Sequence, residues 1–337
     1  MAVLRTGSGV KWRAAVIGCG WIGSEVADDP RADGVQAHAA AYAACPDTQL
    51  VAVCDPDPVR GQRAAKRWGL ESSVPGVTEL LAKWRPQIVS VCTPDATHAP
   101  ILSEVLVSPD VRAVIAEKPL ALDLDQARSV RDLAENRGIP VAVNYTRRFL
   151  ASHIEARERL AAGEIGTPVA VQGLYTKGII HNGSHWFDLA RWFIGEVTAV
   201  RAWPGPGHGS DPTCHVRMTF EDGQTGFLLG LDQARFTAFE MDVIGTAGRL
   251  RITDSGRRFE WSTVADSPNY SGYRSLLPSD VAQRGFQDAA ACLVDNVVAA
   301  LESGAALKCS ATDGLAALAV CDAARRSLLS GEECRVT

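Results

Sequence analysis

Five short apolar runs punctuate the first 145 residues: Ala14–Ile17, Gln49–Cys54, Ile88–Cys92, Ala113–Ala116 and Pro140–Val143. Each is rich in Val, Ile or Ala and stops at polar or turn residues, namely Gly18, Asp55, Thr93-Pro94, Glu117-Lys118-Pro119 and Asn144. Continuous apolar runs of this length mark strands buried on both faces. Between them lie the helical stretches Val59–Trp68, Val77–Trp84, Ala99–Val107 and Leu124–Arg137. Strand alternating with helix predicts right-handed βαβ units and a parallel sheet, with ligands at the carboxyl ends of the strands. Every polar stop named above sits at such an end.

The pattern then changes. A helix over Ile154–Ala162, closed by Gly163, precedes six strand-like runs: Val169–Tyr175, Val197–Trp203, Cys214–Phe220, Thr225–Leu231, Phe239–Ile244 and Arg249–Thr253. Glu221-Asp222-Gly223-Gln224 is a hairpin turn. Short turns between successive strands predict an antiparallel or mixed sheet, and helices follow over Phe286–Ser303 and Thr312–Leu329. Trp203–Pro212, with three Pro and three Gly, reads as a surface loop. The domain boundary is placed near Asn144–Arg148, giving a cofactor domain over 13–145 and a substrate and subunit-contact domain over 146–337.

Composition narrows the possibilities. The 337 residues suit about two domains. A net charge of −5 lacks the basic footprint of a nucleic-acid binder. No apolar run approaches the ~20 residues that span a bilayer, and the first residues have no secretory h-region. Nine scattered cysteines without a C-x-x-C pair read as reduced, mostly buried thiols. The expectation is a cytoplasmic protein acting on a small molecule, with neither nucleic acid nor membrane as partner.

Chemistry enters at AVIGCGWIGSEVA. Gly18, Gly20 and Gly23 form G-x-G-x-x-G between a strand and a helix, with Trp21 and Ile22 between the second and third glycines. In that context the first glycine allows the tight turn, the second lets backbone approach a pyrophosphate, and the third allows close helix packing. The helix N-terminus offers N–H groups to the phosphates. Asp55, ending the next strand, suits the adenosine ribose hydroxyls and repels a 2′-phosphate, which favours NAD over NADP. Its spacing from Gly23 exceeds the usual ~20 residues, and Asp28–Gly34 reads as an insertion that accounts for the excess. Arg60 is a candidate neighbour for a 2′-phosphate, although a helix surface is its plainer reading.

Lys118 ends a strand at the ligand edge, where an ammonium can hold a substrate oxygen and stabilise developing negative charge. Taken alone, an exposed lysine is an equally good reading. The set GCGWIG, CTPDATH (Cys92–His98), EKP, NYTRRF (Asn144–Phe149) and VIGTAGRL (Val243–Leu250) resembles the Gfo/Idh/MocA oxidoreductases, named for glucose-fructose oxidoreductase and inositol dehydrogenase. The likeness runs from about Arg13 to the end of the chain. It implies an N-terminal Rossmann domain and a C-terminal α+β domain with an open, largely antiparallel sheet. It also implies NAD(P)-dependent oxidation or reduction of sugars, cyclitols and related rings.

The second chemical cluster is HNGSHWFDLARWFIGE, His181–Glu196. Ser184 is read as an N-cap, with Trp186, Leu189 and Phe193 as a helical stripe. The resemblance places a catalytic histidine at His185 and an aspartate four residues earlier, where this chain has His181. Two imidazoles beside one cleft disfavour each other's protonation. Asp188 is a candidate to orient His185, or equally a capping residue. His181 and His185 also have H-x-x-x-H spacing, but Asn182-Gly183 places His181 before the helix and no metal is expected.

The resulting expectation is hydride transfer between nicotinamide and a secondary alcohol or ketone on a sugar, cyclitol or aminoglycoside-like ring. Lys118 and His185 act at the reacting oxygen. Thr93, Pro94, Asp95 and His98 line the nicotinamide half, and Glu117 holds its ribose. Tyr145, Arg147, Arg148, Tyr175, Lys177 and Asn182 are further substrate candidates, one of the two arginines being instead solvated or paired with a carboxylate. A non-catalytic NAD- or metabolite-binding regulator of the same fold is the rival reading. The open sheet, by the resemblance, pairs subunits into a homodimer or homotetramer.

Overall fold

The computed structural model describes residues 11–32, 34–207 and 209–337. They form two compact units. The first takes residues up to Leu150 together with Phe286–Leu315, and the second Ala151–Gly285 together with Ala316–Thr337.

The first unit is built on a parallel sheet of β1 (Trp12–Ile17), β2 (Thr48–Cys54), β3 (Ile88–Val91), β4 (Ala113–Ala116) and β5 (Val141–Val143) in the order β2-β1-β3-β4-β5. This is a doubly wound order with its switch point between β1 and β3, where ligands bind outside the carboxyl ends. The helices are α1 (His38–Ala44), α2 (Pro58–Arg67), α3 (Val77–Trp84), α4 (His98–Val107) and α5 (Leu124–Arg137). Local chemistry sets their ends. The Asp57 carboxylate accepts from the Val59 and Arg60 N–H groups at the start of α2, and Asp123 does the same for Asp125 and Gln126 in α5. Gly138 closes α5 with φ +62°.

The helix that follows the glycine fingerprint is interrupted. One turn forms over Gly20–Val26, and the chain then leaves and returns at α1. The Ile22 carbonyl, which would accept from Val26 in an unbroken helix, accepts from His38 N–H, and Gly23 accepts from Ala39. The excursion therefore adds twelve residues (26 to 38). Removing those twelve from the 32 positions between Gly23 and Asp55 leaves 20, matching the usual fingerprint spacing of about 20. The inserted loop expected over Asp28–Gly34 lies inside this excursion, apart from Asp33, which is outside the described residues.

Assigning everything beyond 146 to the second domain needs correction. Residues 286–315, including α8 (Ala289–Ser303), belong to the first unit. The Val35 N–H donates to Asp288 Oδ1 at 2.9 Å, and Val143 N–H donates to the Cys309 carbonyl at 3.1 Å beside an antiparallel bridge between Ala142 and Ser310. The segment thus satisfies backbone groups at the edge of β5 that would otherwise lack a partner.

The second unit contains a nine-stranded sheet in the order β13-β12-β11-β10-β6-β9-β8-β7-β14. The strands are β6 (Pro168–Tyr175), β7 (Val197–Pro204), β8 (Cys214–Phe220), β9 (Thr225–Gly230), β10 (Phe239–Gly245), β11 (Gly248–Thr253), β12 (Arg258–Asp266), β13 (Arg274–Gln283) and β14 (Cys334–Arg335). Every neighbouring pair is antiparallel except β6 with β9. The β8–β9 hairpin turns at Gly223, whose φ is +85°. Alternate residues of the strands pack with α6 (Ala151–Ala161), α7 (Ser184–Ile194) and part of α9 (Ala311–Ser330) into one core that includes Trp186, Phe187, Met218 and Trp261.

Candidate active site

The fingerprint glycines divide by environment. A Cβ on Gly18, at φ +92°, would lie 2.5 Å from the Cys92 carbonyl, and one on Gly23 would lie 2.0 Å from the Gly18 carbonyl. Those two are fixed by the close approach of the β1 loop, the β3 end and the helix. Nothing lies within 4 Å of the equivalent point on Gly20, so its backbone is open to a ligand. This is the arrangement a dinucleotide pyrophosphate needs. Trp21 beside it is exposed.

Asp55 is buried at the end of β2. Its Oδ2 accepts from Cys19 N–H at 2.9 Å and its Oδ1 from Asp57 N–H at 2.9 Å. The carboxylate thus holds the fingerprint loop against the β2 end, and its remaining lone pairs are what a ribose would meet. Burial first, and then the Asp55 charge, push the Cys19 thiol up to about 12, which keeps it protonated and inert.

At the end of β4, Lys118 is half-buried and joined to Pro119 by a cis peptide. The preceding Glu117 is buried, and its Oε1 accepts from Asn144 Nδ2 at 2.6 Å and lies 3.0 Å from His38 Nε2. His38 Nδ1 contacts Ser90 Oγ at 3.0 Å, and Ser90 contacts the Tyr42 hydroxyl at 2.7 Å. Burial alone would raise the Glu117 pKa, but hydrogen bonds from His38 and Asn144 and the nearby Lys118 charge outweigh it and hold the carboxyl below its usual range. Sequence reasoning missed His38, Ser90 and Tyr42 as parts of this network. The only signal was a serine inside the buried run IVSVC.

His98 requires correction. Expected to line the nicotinamide, it is fully buried, with Nδ1 at 2.6 Å from the Pro119 carbonyl and Nε2 at 2.7 Å from the Thr93 carbonyl. It ties the Lys118-Pro119 turn to the β3 end and lies behind the ligand edge. Thr93, Pro94 and Asp95 remain at least partly exposed.

Tyr145 and Arg148, expected at the substrate, are also buried. Arg148 donates to Asp313 Oδ1 at 2.9 Å and the Lys308 carbonyl at 3.3 Å, anchoring the returning segment. Arg147 lies 5.3 Å over the Phe286 ring and is half-buried.

In the second unit, the helix carrying His185 begins earlier than expected. A π-helical turn over Gly178–Gly183 runs directly into α7, so Ser184 is an interior residue and not an N-cap. A loop over 211–213 secures this turn. Asp211 accepts from Ile180 N–H at 2.7 Å and His181 N–H at 2.9 Å, while Thr213 Oγ1 accepts from Gly178 N–H at 2.9 Å. His181 is therefore part of the helical run and not before it. His185 and Asn182 are half-buried, and Lys177 and His181 are exposed.

Tyr175 is corrected to a structural role. The Tyr175 hydroxyl is buried, donating to the Cys214 carbonyl and accepting from the Cys214 N–H, both at 2.9 Å. Asp188 is buried 3.9 Å from Arg191, whose guanidinium makes a bidentate pair with Glu196 at 2.7 and 2.6 Å. Lys177, His181, Asp211, Thr213, Asp232 and Gln233 line a cleft of about 510 Å³ within this unit. Among the described residues no cluster of three or more His, Cys, Asp or Glu is placed to hold a metal ion, and no helix is long and apolar enough to cross a membrane.

Residues 12–145 match the GFO/IDH/MocA oxidoreductase family, NAD-binding Rossmann fold, and residues 175–251 match the GFO/IDH/MocA C-terminal domain. An inositol 2-dehydrogenase of Rubrobacter xylanophilus is 36% identical over 45% of this chain and 46% of its own length, so that alignment spans about half of the relative. A myo-inositol dehydrogenase of Streptomyces leeuwenhoekii is 31% identical over 77% of this chain and 82% of its own. A levoglucosan dehydrogenase solved with NADH superposes with a TM-score of 0.82 over 97% of this chain and 99% of its own, at 18% identity, and so shares the fold. With both halves matched, and a relative above 30% identity aligned along most of each chain, this protein belongs to the Gfo/Idh/MocA family of NAD-binding oxidoreductases.

Proposed function

We propose that the chain reversibly oxidises a secondary alcohol on a cyclitol- or sugar-like ring, with Lys118 and His185 acting on one substrate oxygen. The observation that carries this reading is the setting of Lys118. It stands at the carboxyl edge of the NAD-binding sheet, on a turn braced by Glu117 on one side and by the His98–Pro119 contact on the other. An ammonium held in that way is pre-organised to stabilise charge on an oxygen presented at the edge.

In the proposed reaction His185 takes the hydroxyl proton and Lys118 donates a hydrogen bond to the oxygen as its negative charge develops. The C–H bond breaks as the carbonyl forms, and bound nicotinamide supplies the hydride acceptor. Glu117 and Asn144 fix the lysine-bearing turn and do not exchange protons with substrate. Lys177, His181, Asn182 and Gln233 are proposed to hold other ring hydroxyls. Polar groups of both signs around the cleft suit a polyhydroxylated or amino-substituted ring, and its volume is in the range of small-ligand sites. The inositol dehydrogenases among the relatives support a cyclitol as the first substrate to test.

The test is absorbance at the reduced-nicotinamide band with NAD and a panel of inositols, aldoses and amino-cyclitols. Turnover of at least one supports the proposal; NAD binding without turnover of any would favour a regulator instead. We also propose that the exposed sheet face pairs two copies, since Phe227 and Leu229 on β9 are 45% and 48% exposed. Light scattering giving the mass of one chain would refute that pairing.

A further inference from the structure

We infer that Glu25, in the turn just before the excursion that interrupts the first helix, is a specificity-determining residue that excludes NADP by occupying the arginines beside the adenosine ribose site. Three arginines, Arg60, Arg63 and Arg67, lie along α2 immediately after the β2 end. A nearby arginine is the usual means by which this kind of fold accommodates a 2′-phosphate. Here each is already paired with that turn or with the excursion. Glu25 Oε1 makes an ion pair with Arg63 and lies 3.7 Å from Arg60 Nε, while Asp28 pairs with Arg67. Arg67 Nη1 also donates to the Ser24 carbonyl at 3.1 Å, and Trp68 Nε1 donates to Ser24 Oγ at 2.9 Å, which fixes the turn before the excursion against α2.

Arg60 connects this cluster to the ribose position. Its Nη1 lies 3.9 Å from Asp55 Oδ1 and its side chain is 44% exposed. A 2′-phosphate next to Asp55 would therefore meet two carboxylates, Asp55 and Glu25, and an arginine shared between them. Asp55 alone already disfavours the phosphate. Glu25 adds a second negative charge and removes the two cations that would otherwise compensate. The oxygen of Glu25 is directed at the arginines, so its charge bears more on a 2′-phosphate than on NAD. The inference depends on the NAD-binding unit only and is independent of the substrate.

The experiment is direct titration of NADH and NADPH by nicotinamide fluorescence on the wild type, Glu25→Gln, and Glu25→Gln combined with Arg60→Ala. Exposed ion pairs contribute little to folding, and Glu25→Ala serves as a second variant should the amide disturb the turn. In Glu25→Gln, NADPH is expected to bind about tenfold more tightly at low salt, with the gain shrinking as ionic strength rises. NADH affinity stays within about twofold, and adding Arg60→Ala removes most of the NADPH gain. An unchanged NADPH affinity in both Glu25 variants overturns the inference. So does a gain undiminished by Arg60→Ala, or one shared equally by NADH.

Discussion

The polar residues at the strand ends of the first unit and those around the cleft of the second behave differently. Asp55, Glu117, His98 and Asn144 are buried and engaged with backbone or with one another. Lys177 and His181 are exposed at the rim of a cleft, on a turn held from beneath by Asp211. One region is a rigid seat for a cofactor of fixed shape; the other, under the proposed function, presents adaptable polar groups to the substrate ring. A common cofactor rewards pre-organisation, whereas substrate choice is left to side chains that can change without unfolding the unit.

Substitutions in the two regions should therefore separate stability from substrate affinity. The largest effect is expected for His98→Ala, which removes a buried ring lodged between the Pro119 and Thr93 carbonyls and leaves the carbonyl served by its N–H without a donor. A loss of about 3 kcal/mol is expected, read as a lower urea midpoint. A midpoint unchanged from wild type would show that the strand ends are not locked.

Glu117→Gln tests the same region through pH. The folded-state pKa of Glu117 is lowered, so its stabilisation is present above the ordinary value of 4.5 and is lost as pH falls through the folded value. The variant should be less stable than wild type at pH 7, with the gap narrowing below pH 4.5. A gap independent of pH would assign the effect to packing.

The smallest change is expected for Lys177→Ala. It should raise the substrate KM by about threefold to tenfold, the cost of one exposed hydrogen bond. Melting temperature and NADH affinity should stay the same. A fall in melting temperature would place Lys177 in the structural class and erase the contrast.

Much of the first unit was legible because buried parallel strands and glycine turns leave strong local patterns. The fingerprint at Gly18–Gly23, Asp55 and the start and end of α3 and α5 follow from short-range chemistry. The return of 286–315 did not, because the pairing of Ala142 with Ser310 joins residues far apart in sequence. In the second unit the sequence reading lacked β12, β13 and the two-residue β14. β13 forms an edge strand, mostly exposed, and contains Pro278 opposite Ser262, beside a register shift that leaves Ser279 as an extra residue. A proline and a bulge erase the period-two signal while being tolerated at an edge. Candidate residues failed for a related reason. Tyr175, Arg148 and His98 are polar and follow or end strands, but sequence cannot tell a side chain aimed at a ligand from one tying down a neighbouring carbonyl. The π turn before α7 was hidden because Asp211, which holds it, lies some thirty residues away.

The central claim, that Lys118 and His185 serve one oxygen, is tested most directly by a double-mutant cycle on kcat/KM with NAD and the substrate the panel identifies. Lys118→Met and His185→Ala should each lower it by about 10²–10³-fold, as for loss of a donor or a general base. The double variant should lose little more than the worse single one, because groups that act as a unit are not additive. Losses that multiply, or either single variant retaining wild-type turnover, would contradict the account.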